Sequence, residues 1–157
     1  MAALLPALRD YLVESNIARL PQEAGSGDPD TWLPPLWLAP QLGCPAPGEA
    51  PSKTANPVEI GQRMVLSASI SGGFPGGPYV SAWRRKPTVE FRFRGLWSPE
   101  IEDKEQEIAL ALGDRRDWVM AGLYVIECQQ WRELTPLSHD EQSFNFLSAF
   151  SFELLRQ

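Results

Sequence analysis

Three consecutive residues, His139, Asp140 and Glu141, form the cluster in this sequence that could bind a metal ion or transfer a proton. An imidazole changes its charge near neutral pH, and a neighbouring carboxylate can orient it or share a metal ion with it. A single histidine in a polar turn between two strands, however, more often has neither role. The sequence contains no HExxH, CxxC, GxSxG, GxGxxG or Walker motif. We therefore predict no catalytic residue, no metal site and no cofactor, and expect that the protein is not an enzyme.

Two segments rich in glycine or proline, over residues 39–57 and 71–87, are predicted to be loops. The second begins with a stretch from Ser71 to Pro78 that holds four glycines and two prolines and superficially resembles a phosphate-binding loop. Phosphate-binding loops depend on the N-terminus of a following helix and on a lysine, and this stretch has neither. The pattern therefore favours a flexible connection over a phosphate site.

The length, charge and cysteine content indicate a single acidic domain. A chain of 157 residues fits one domain spanning 1–157, and its net charge of -6 argues against a nucleic-acid-binding role. Residues 1–12 lack the basic start of a signal peptide, and no apolar run approaches the ~18 residues of a membrane span. With no secretory context, Cys44 and Cys128 are expected to be free thiols. We therefore expect a soluble protein that is made in the cytosol.

Two patches of opposite charge follow one another in the chain. The basic residues are Arg84, Arg85, Lys86, Arg92 and Arg94, and the acidic candidates are Glu100, Glu102, Asp103 and Glu105. One interpretation is that both patches are simply solvated. The other is that the basic patch of one copy meets the acidic helix of the next, in a head-to-tail contact that closes a ring.

Three tryptophans extend this candidate interface. Trp32, Trp37 and Trp83 lie in segments that are too irregular to bury all of them in a small core. Because tryptophan is enriched where binding energy concentrates at interfaces, we add these residues to the predicted contact surface.

The periodicity of the sequence predicts the elements that position these residues. Apolar residues recur at helical spacing over 3–15, and a second helix is expected to start at Ser98 as N-cap, with Pro99 at its first position. This helix is expected to end at Gly113 and could resume over 114–120. Alternation predicts strands over 64–70, 88–95, 123–131 and 143–155, and the Pro-Pro pair in 32–38 allows an edge strand or a polyproline-like segment. The predicted fold is α+β, a mostly antiparallel sheet or sandwich with two helices packed on one face.

The order and size of these elements resemble the tail terminator proteins of long-tailed, non-contractile bacteriophages, which are also known as phage minor capsid proteins. The resemblance runs over roughly residues 4–156 and rests on these features: the helix 8–15, Pro34-Pro35, Ser71-Gly72-Gly73, the strand 87–95, the helix after Ser98, Pro136, the turn 139–141 and the final apolar strand. Two departures stand out. The Pro-rich stretch 40–57 is longer than the family needs, and Glu141-Gln142-Ser143 stands where the family often has Gly-Arg.

The resemblance implies a structural virion protein at the tail–neck junction, assembled in the host cytoplasm. Six copies would form a ring on the last ring of tail tube protein, end tube polymerisation and bind the head-completion or stopper protein. DNA would pass through the lumen without sequence-specific binding, and no membrane would be involved. Two alternatives stay open at this point: another neck adaptor or tail-completion protein, and a small ligand-binding or enzymatic domain using His139, Asp140 and Glu141.

Overall fold

The computed structural model describes residues 4–21, 31–38, 64–71, 84–139 and 143–155. In chain order its elements are α1 (Leu4–Glu14), β1 (Leu36–Leu38), β2 (Met64–Ser71), β3 (Arg84–Arg85), β4 (Thr88–Gly95), α2 (Ser98–Leu112), β5 (Arg115–Met120), β6 (Leu123–His139) and β7 (Phe144–Leu155). The Pro-rich loop predicted over 39–57 lies outside the described residues.

The described strands form one seven-stranded sheet in the order β1-β2-β4-β7-β6-β5, and β3 pairs with one end of β7. Only β1 and β2 run parallel among the described pairs. The α+β fold with a mostly antiparallel sheet is therefore confirmed. Since all described strands belong to one sheet, the sandwich form of the prediction does not apply to them.

Both helices pack on one face of this sheet around one hydrophobic core. From α1 the core takes Leu8, and from α2 it takes Ile108, while Phe91, Phe93 and Phe150 come from the central strands. All five side chains are fully buried. Neither described helix is long and apolar enough to cross a membrane.

The Pro34-Pro35 pair leads into an edge strand, which is one of the two predicted forms. Proline has no backbone N–H, so it can enter a sheet only by accepting hydrogen bonds. The Pro34 carbonyl accepts from the Arg19 N–H at 2.9 Å, and the Pro35 carbonyl accepts from the Leu66 N–H at 3.0 Å. The following residue, Leu36, supplies a donor to the Arg19 carbonyl at 3.0 Å. The two prolines therefore hold this segment against the sheet through their carbonyl groups, and the lack of an N–H at either proline costs no hydrogen bond there.

The start of α2 differs from the prediction by one residue. Ser98 is the first helical residue, and the N-cap is Trp97, whose φ of -134° and ψ of 126° are extended. No side chain caps this end, so Ser98 does not have the predicted role. Pro99 fits one position later than expected because the N–H groups of the whole first turn lack helical partners. The predicted C-cap, Gly113, is confirmed.

The helical continuation predicted over 114–120 is wrong, because this segment is β5. Trp118 and Met120 are buried on one face, and Arg115 pairs with Cys128 of β6. A two-residue turn joins the strands, with φ of 47° at Ala121 and 88° at Gly122. Positive φ at both positions is the geometry that matches the twist of a tight hairpin.

The strand β6 is longer than predicted, and the loop predicted over 71–87 is shorter. We expected β6 to end near Trp131, but it pairs with β7 as far as His139 through several register shifts. Ser71 is the last residue of β2, and Arg84 pairs with Leu155 in β3. β6 and β3 extend into these segments because β7 continues beside them, whereas Ser71 belongs to β2 because it pairs with Thr88 of β4.

Tyr11 joins α1 to the end of α2 and to β5. Its hydroxyl donates to the Ala111 carbonyl at 3.2 Å and accepts from the Arg115 guanidinium at 2.7 Å. The Arg115 guanidinium also lies 4.2 Å from the centre of the Trp118 ring, which itself packs edge-on against Tyr11. This joint fixes both helices against the same edge of the sheet.

Replacing Gly113 with alanine is expected to lower the free energy of unfolding by about 1–3 kcal/mol. The Gly113 N–H donates to the Ala109 carbonyl oxygen at 2.7 Å, and a methyl group added at Gly113 would lie 2.6 Å from that oxygen. Urea denaturation would measure the loss. Leu110→Ala is the control, since that side chain is 78% exposed and its loss should change stability by less than about 0.5 kcal/mol. If Gly113→Ala and the parent protein are equally stable, the Ala109 carbonyl does not lie as close to Gly113 as described.

Candidate subunit interface

The predicted basic residues of β4 lie on the sheet face opposite the helices. Side chains alternate along a strand, so the burial of Phe91 and Phe93 under the helices directs Arg92 and Arg94 to the other side. Arg92 is exposed, whereas Arg94 is half-buried and donates from Nε to the Ser143 hydroxyl at 2.9 Å. Glu90 shares this face, so the surface is mixed but carries two guanidinium groups. We refer to it as the basic strand face.

Arg84 extends the basic strand face toward the far end of β7. It pairs with Leu155 across β3 and β7, and its guanidinium forms an ion pair of 3.2 Å with Glu153. The Arg84 side chain is 57% exposed and that of Glu153 only 14%, so the arginine is the member of the pair that a partner can reach. The two remaining basic candidates, Arg85 and Lys86, are half-buried.

The predicted acidic residues of α2 lie on more than one side of that helix, and Glu105 is turned toward β6. Glu102 and Asp103 are exposed, whereas Glu100 and Glu105 are half-buried. The Glu105 carboxylate accepts a hydrogen bond of 2.7 Å from the Gln130 amide of β6. Burial raises the pKa of Glu105 above its usual range, although that hydrogen bond lowers it, and the nearby Glu133 carboxylate raises it further.

The two charged surfaces therefore face in opposite directions. The acidic residues of α2 lie on the face of the sheet that the helices cover, and the basic strand face lies on the other side of the same sheet. The sheet brings Arg84, Arg92 and Arg94 onto one surface and the four acidic candidates onto the other. The basic and the acidic candidates therefore do not meet within one copy. They would have to meet there if the two patches neutralised each other inside a single subunit.

The predicted tryptophans behave differently from one another. Trp32 belongs to the hydrophobic core and is 8% exposed, so within one copy it offers little surface to a partner. The bridge between Arg19 and Pro35 holds the irregular segment against the sheet, which lets Trp32 reach the core. Trp37 is half-buried in the edge strand β1, and Trp83 lies outside the described residues.

Sequence reasoning missed two exposed tryptophans. Trp97 is 51% exposed at the junction of β4 and α2, and Trp131 is 57% exposed on β6. Near Trp97, three further apolar residues are between 38% and 49% exposed, namely Leu96, Leu137 and Phe144. The signal was available for Trp97, because it follows a strand and precedes Ser98-Pro99, a position that is commonly solvent-exposed.

A trough runs along one side of α2 between that helix and the strands β6 and β7. Its apolar part has a volume of about 400 Å³ and is lined by Ser98, Glu102, Pro136, Leu137, Phe144, Asn145 and Phe146. Its polar part has a volume of about 440 Å³ and is lined by Glu102, Glu105, Gln106, Gln130, Glu133 and Leu134. Because Glu102 lines both parts, they form one continuous surface, which we refer to as the α2–β6 trough.

The residues singled out for chemistry do not form a site among the described residues. The backbone of His139 ends β6, while Asp140 and Glu141 lie outside the described ranges. Within those ranges, no group of three His, Cys, Asp or Glu side chains could hold a metal ion. Cys128 is a free, buried thiol, and burial near two carboxylates raises its pKa to about 12. A thiol that stays protonated is a poor nucleophile.

No protein-family model matches the chain, and no curated protein matches it either.

Proposed function

We propose that this protein is a phage tail terminator, a structural protein that forms a hexameric ring on the tail tube and joins the tail to the neck. The observation that carries the proposal is the placement of opposite charges on opposite faces of one sheet, with Arg92 on one side and Glu102 on the other. Such patches suit a head-to-tail contact between copies better than a two-fold one. Repeating that contact around an axis closes a ring.

The ring would bind other virion proteins through surfaces that the contact between copies leaves free. The tail tube protein would meet one side and the head-completion or stopper protein the other, and the ring would thereby end tube polymerisation. The net charge of -6 suits a lumen through which DNA passes without being held, since acidic walls repel phosphates. The proposed role is structural, without catalysis or a cofactor, in the virion and after assembly in the host cytoplasm.

Electron microscopy of particles produced without the protein would test this role. Overlong tails are expected, because nothing would then end the polymerisation of the tube. Tails of normal length that lack heads would point instead to another neck adaptor or tail-completion protein. Light scattering on the purified chain with its tube protein provides a second readout, and a strict monomer under those conditions would count against ring formation.

Arg92→Glu is expected to weaken association between copies about tenfold at low salt, because it reverses a charge on the basic strand face. Its stability should change by less than about 0.5 kcal/mol, since the side chain is exposed. Light scattering at low and high salt would measure the association, and thermal unfolding would measure the stability. Arg9→Glu is the control, because Arg9 belongs to α1 and therefore to neither β4 nor α2. Unchanged association of Arg92→Glu at low salt would refute the role of this face.

A further inference from the structure

The α2–β6 trough combines two chemical features that suit one kind of occupant. Its apolar part, at Leu137 and Phe144, can receive an aliphatic side chain. Its polar part gathers the carboxylates of Glu102, Glu105 and Glu133, which suit a cation. Glu105 is already partly desolvated and close to Glu133, so its carboxylate gains from a positive neighbour. The occupant that fits both parts presents an apolar side chain directly beside a lysine or arginine.

This chain presents that combination at the far end of its own sheet. Arg84 of β3 and Leu155 of β7 are direct cross-strand partners, so their side chains lie on the same face. Leu155 is 48% exposed, and the Arg84 side chain is 57% exposed despite its ion pair with Glu153. Because a guanidinium has five N–H donors, Arg84 can bind a second carboxylate while it keeps its contact with Glu153.

A copy of the protein cannot place its own Arg84–Leu155 pair in its own trough. The apolar part of the trough lies at Phe144, which is eleven residues from Leu155 along β7. At a rise of about 3.3 Å per residue, these positions are separated by roughly 36 Å. The pair also lies on the sheet face opposite the helices, whereas the trough lies beside α2. An Arg84–Leu155 pair that fills the trough would therefore come from a second copy.

We propose that the Arg84–Leu155 pair of one copy docks in the α2–β6 trough of the next copy. Leu155 enters the apolar part beside Phe144, and Arg84 faces the carboxylate of Glu102. This inference rests on the proposed ring, and it specifies which surfaces meet. The contact is head-to-tail, since donor and acceptor surfaces are different and lie at opposite ends of the sheet.

Charge reversal on each side, followed by the exchanged pair, tests this docking. Glu102→Arg and Arg84→Glu are each expected to weaken association between copies at least tenfold, whereas the double variant is expected to recover most of it. Association would be measured by mass photometry of the full chain with its tube protein, and thermal unfolding would verify folding. Glu14→Arg and Arg116→Glu are the matched controls. Glu14 is exposed on α1, and Arg116 forms an exposed ion pair of 3.1 Å with Glu127, much like that of Arg84.

The outcomes separate this inference from the proposed function. If the parent protein forms rings and both single reversals leave association unchanged, the docking is overturned while the terminator proposal stands. If the single reversals weaken association but the double variant is no better than either, the direct pairing of Arg84 with Glu102 is overturned. If the parent protein stays monomeric with its tube protein, both the ring and the docking fail.

Discussion

Phe150→Ala is expected to lower the free energy of unfolding by about 3–5 kcal/mol, the largest effect of any substitution considered. The Phe150 ring is fully buried and meets Phe91 edge-on, with 5.7 Å between the ring centres. Its strand, β7, lies between β4 and β6, where Phe150 pairs with Val89 and Gln130. The neighbouring strands are therefore held in place on both sides, and we expect the cavity to collapse only partly.

Phe144→Ala is the matched control, because it removes the same side chain from the same strand. Phe144 is 40% exposed, so its loss should cost under about 2 kcal/mol. Urea denaturation of both variants would compare them through the transition midpoint at constant slope. If both substitutions cost the same, Phe150 is not at the centre of the core.

Alkaline pH is expected to destabilise the fold through Cys128. The thiol is buried near Asp114 and Glu127, and its pKa rises from 9.0 to about 12. Between these two values the unfolded chain releases the thiol proton while the folded chain keeps it, so stability falls as pH rises. Below about pH 9 the thiol is protonated in both the folded and the unfolded chain, so its ionisation does not change the free energy of unfolding there. The loss amounts to about 1.4 kcal/mol for each pH unit, or about 4 kcal/mol in total.

The Cys128→Ala variant isolates this contribution. Tyrosines and lysines also titrate at high pH, but they are present in both proteins and cancel in the difference. Urea denaturation at intervals from about pH 8 to about pH 11 should show the parent protein losing stability faster than the variant. Parallel stability curves across that range would contradict the raised pKa of Cys128.

Where local pattern and tertiary structure agree, the sequence predicted the fold well. The alternation of β4 and the helical spacing of α1 both describe surfaces that are apolar on one side only, and both elements have the predicted extent within a residue. The end of α2 at Gly113 was predictable because a glycine there permits close approach to Ala109. Such signals act within a few residues of the chain, so they survive without knowledge of the partner strands.

The errors arose where a distant partner decides the local structure. Over 114–120, four charged residues are followed by three apolar ones, so no alternation marks a strand, and pairing with β6 makes this segment one. The extension of β6 past Trp131 passes through Pro136 and exposed polar residues, and it exists because β7 continues alongside. In β2, alternation places Val65 and Ser67 on the face opposite Leu66, yet all three are buried, so this strand is shielded on both faces.

For the candidate interface, the positions of the charged residues could be predicted from the sequence, but the shape of the surface could not. The sign and spacing of Arg92, Arg94, Glu102 and Asp103 follow from sequence, and the alternation of β4 already separates the two arginines from the core. The burial of Trp32 and the exposure of Trp97 and Trp131 depend on how segments dock. The α2–β6 trough could not be predicted, because its lining comes from three elements that the chain separates.

The central position of β7 has a consequence for how the protein is made. Three strands, β3, β4 and β6, pair with β7, and β7 is the last of the described elements in the chain. Until its residues 144–155 have left the ribosome, β4 and β6 have no shared neighbour and the apolar faces of both helices have no complete surface to cover. Folding then requires pairing between residues as distant as Thr88 and Ser151, which is slow compared with local contacts. Newly made chains should therefore depend on protection from aggregation until synthesis has passed β7.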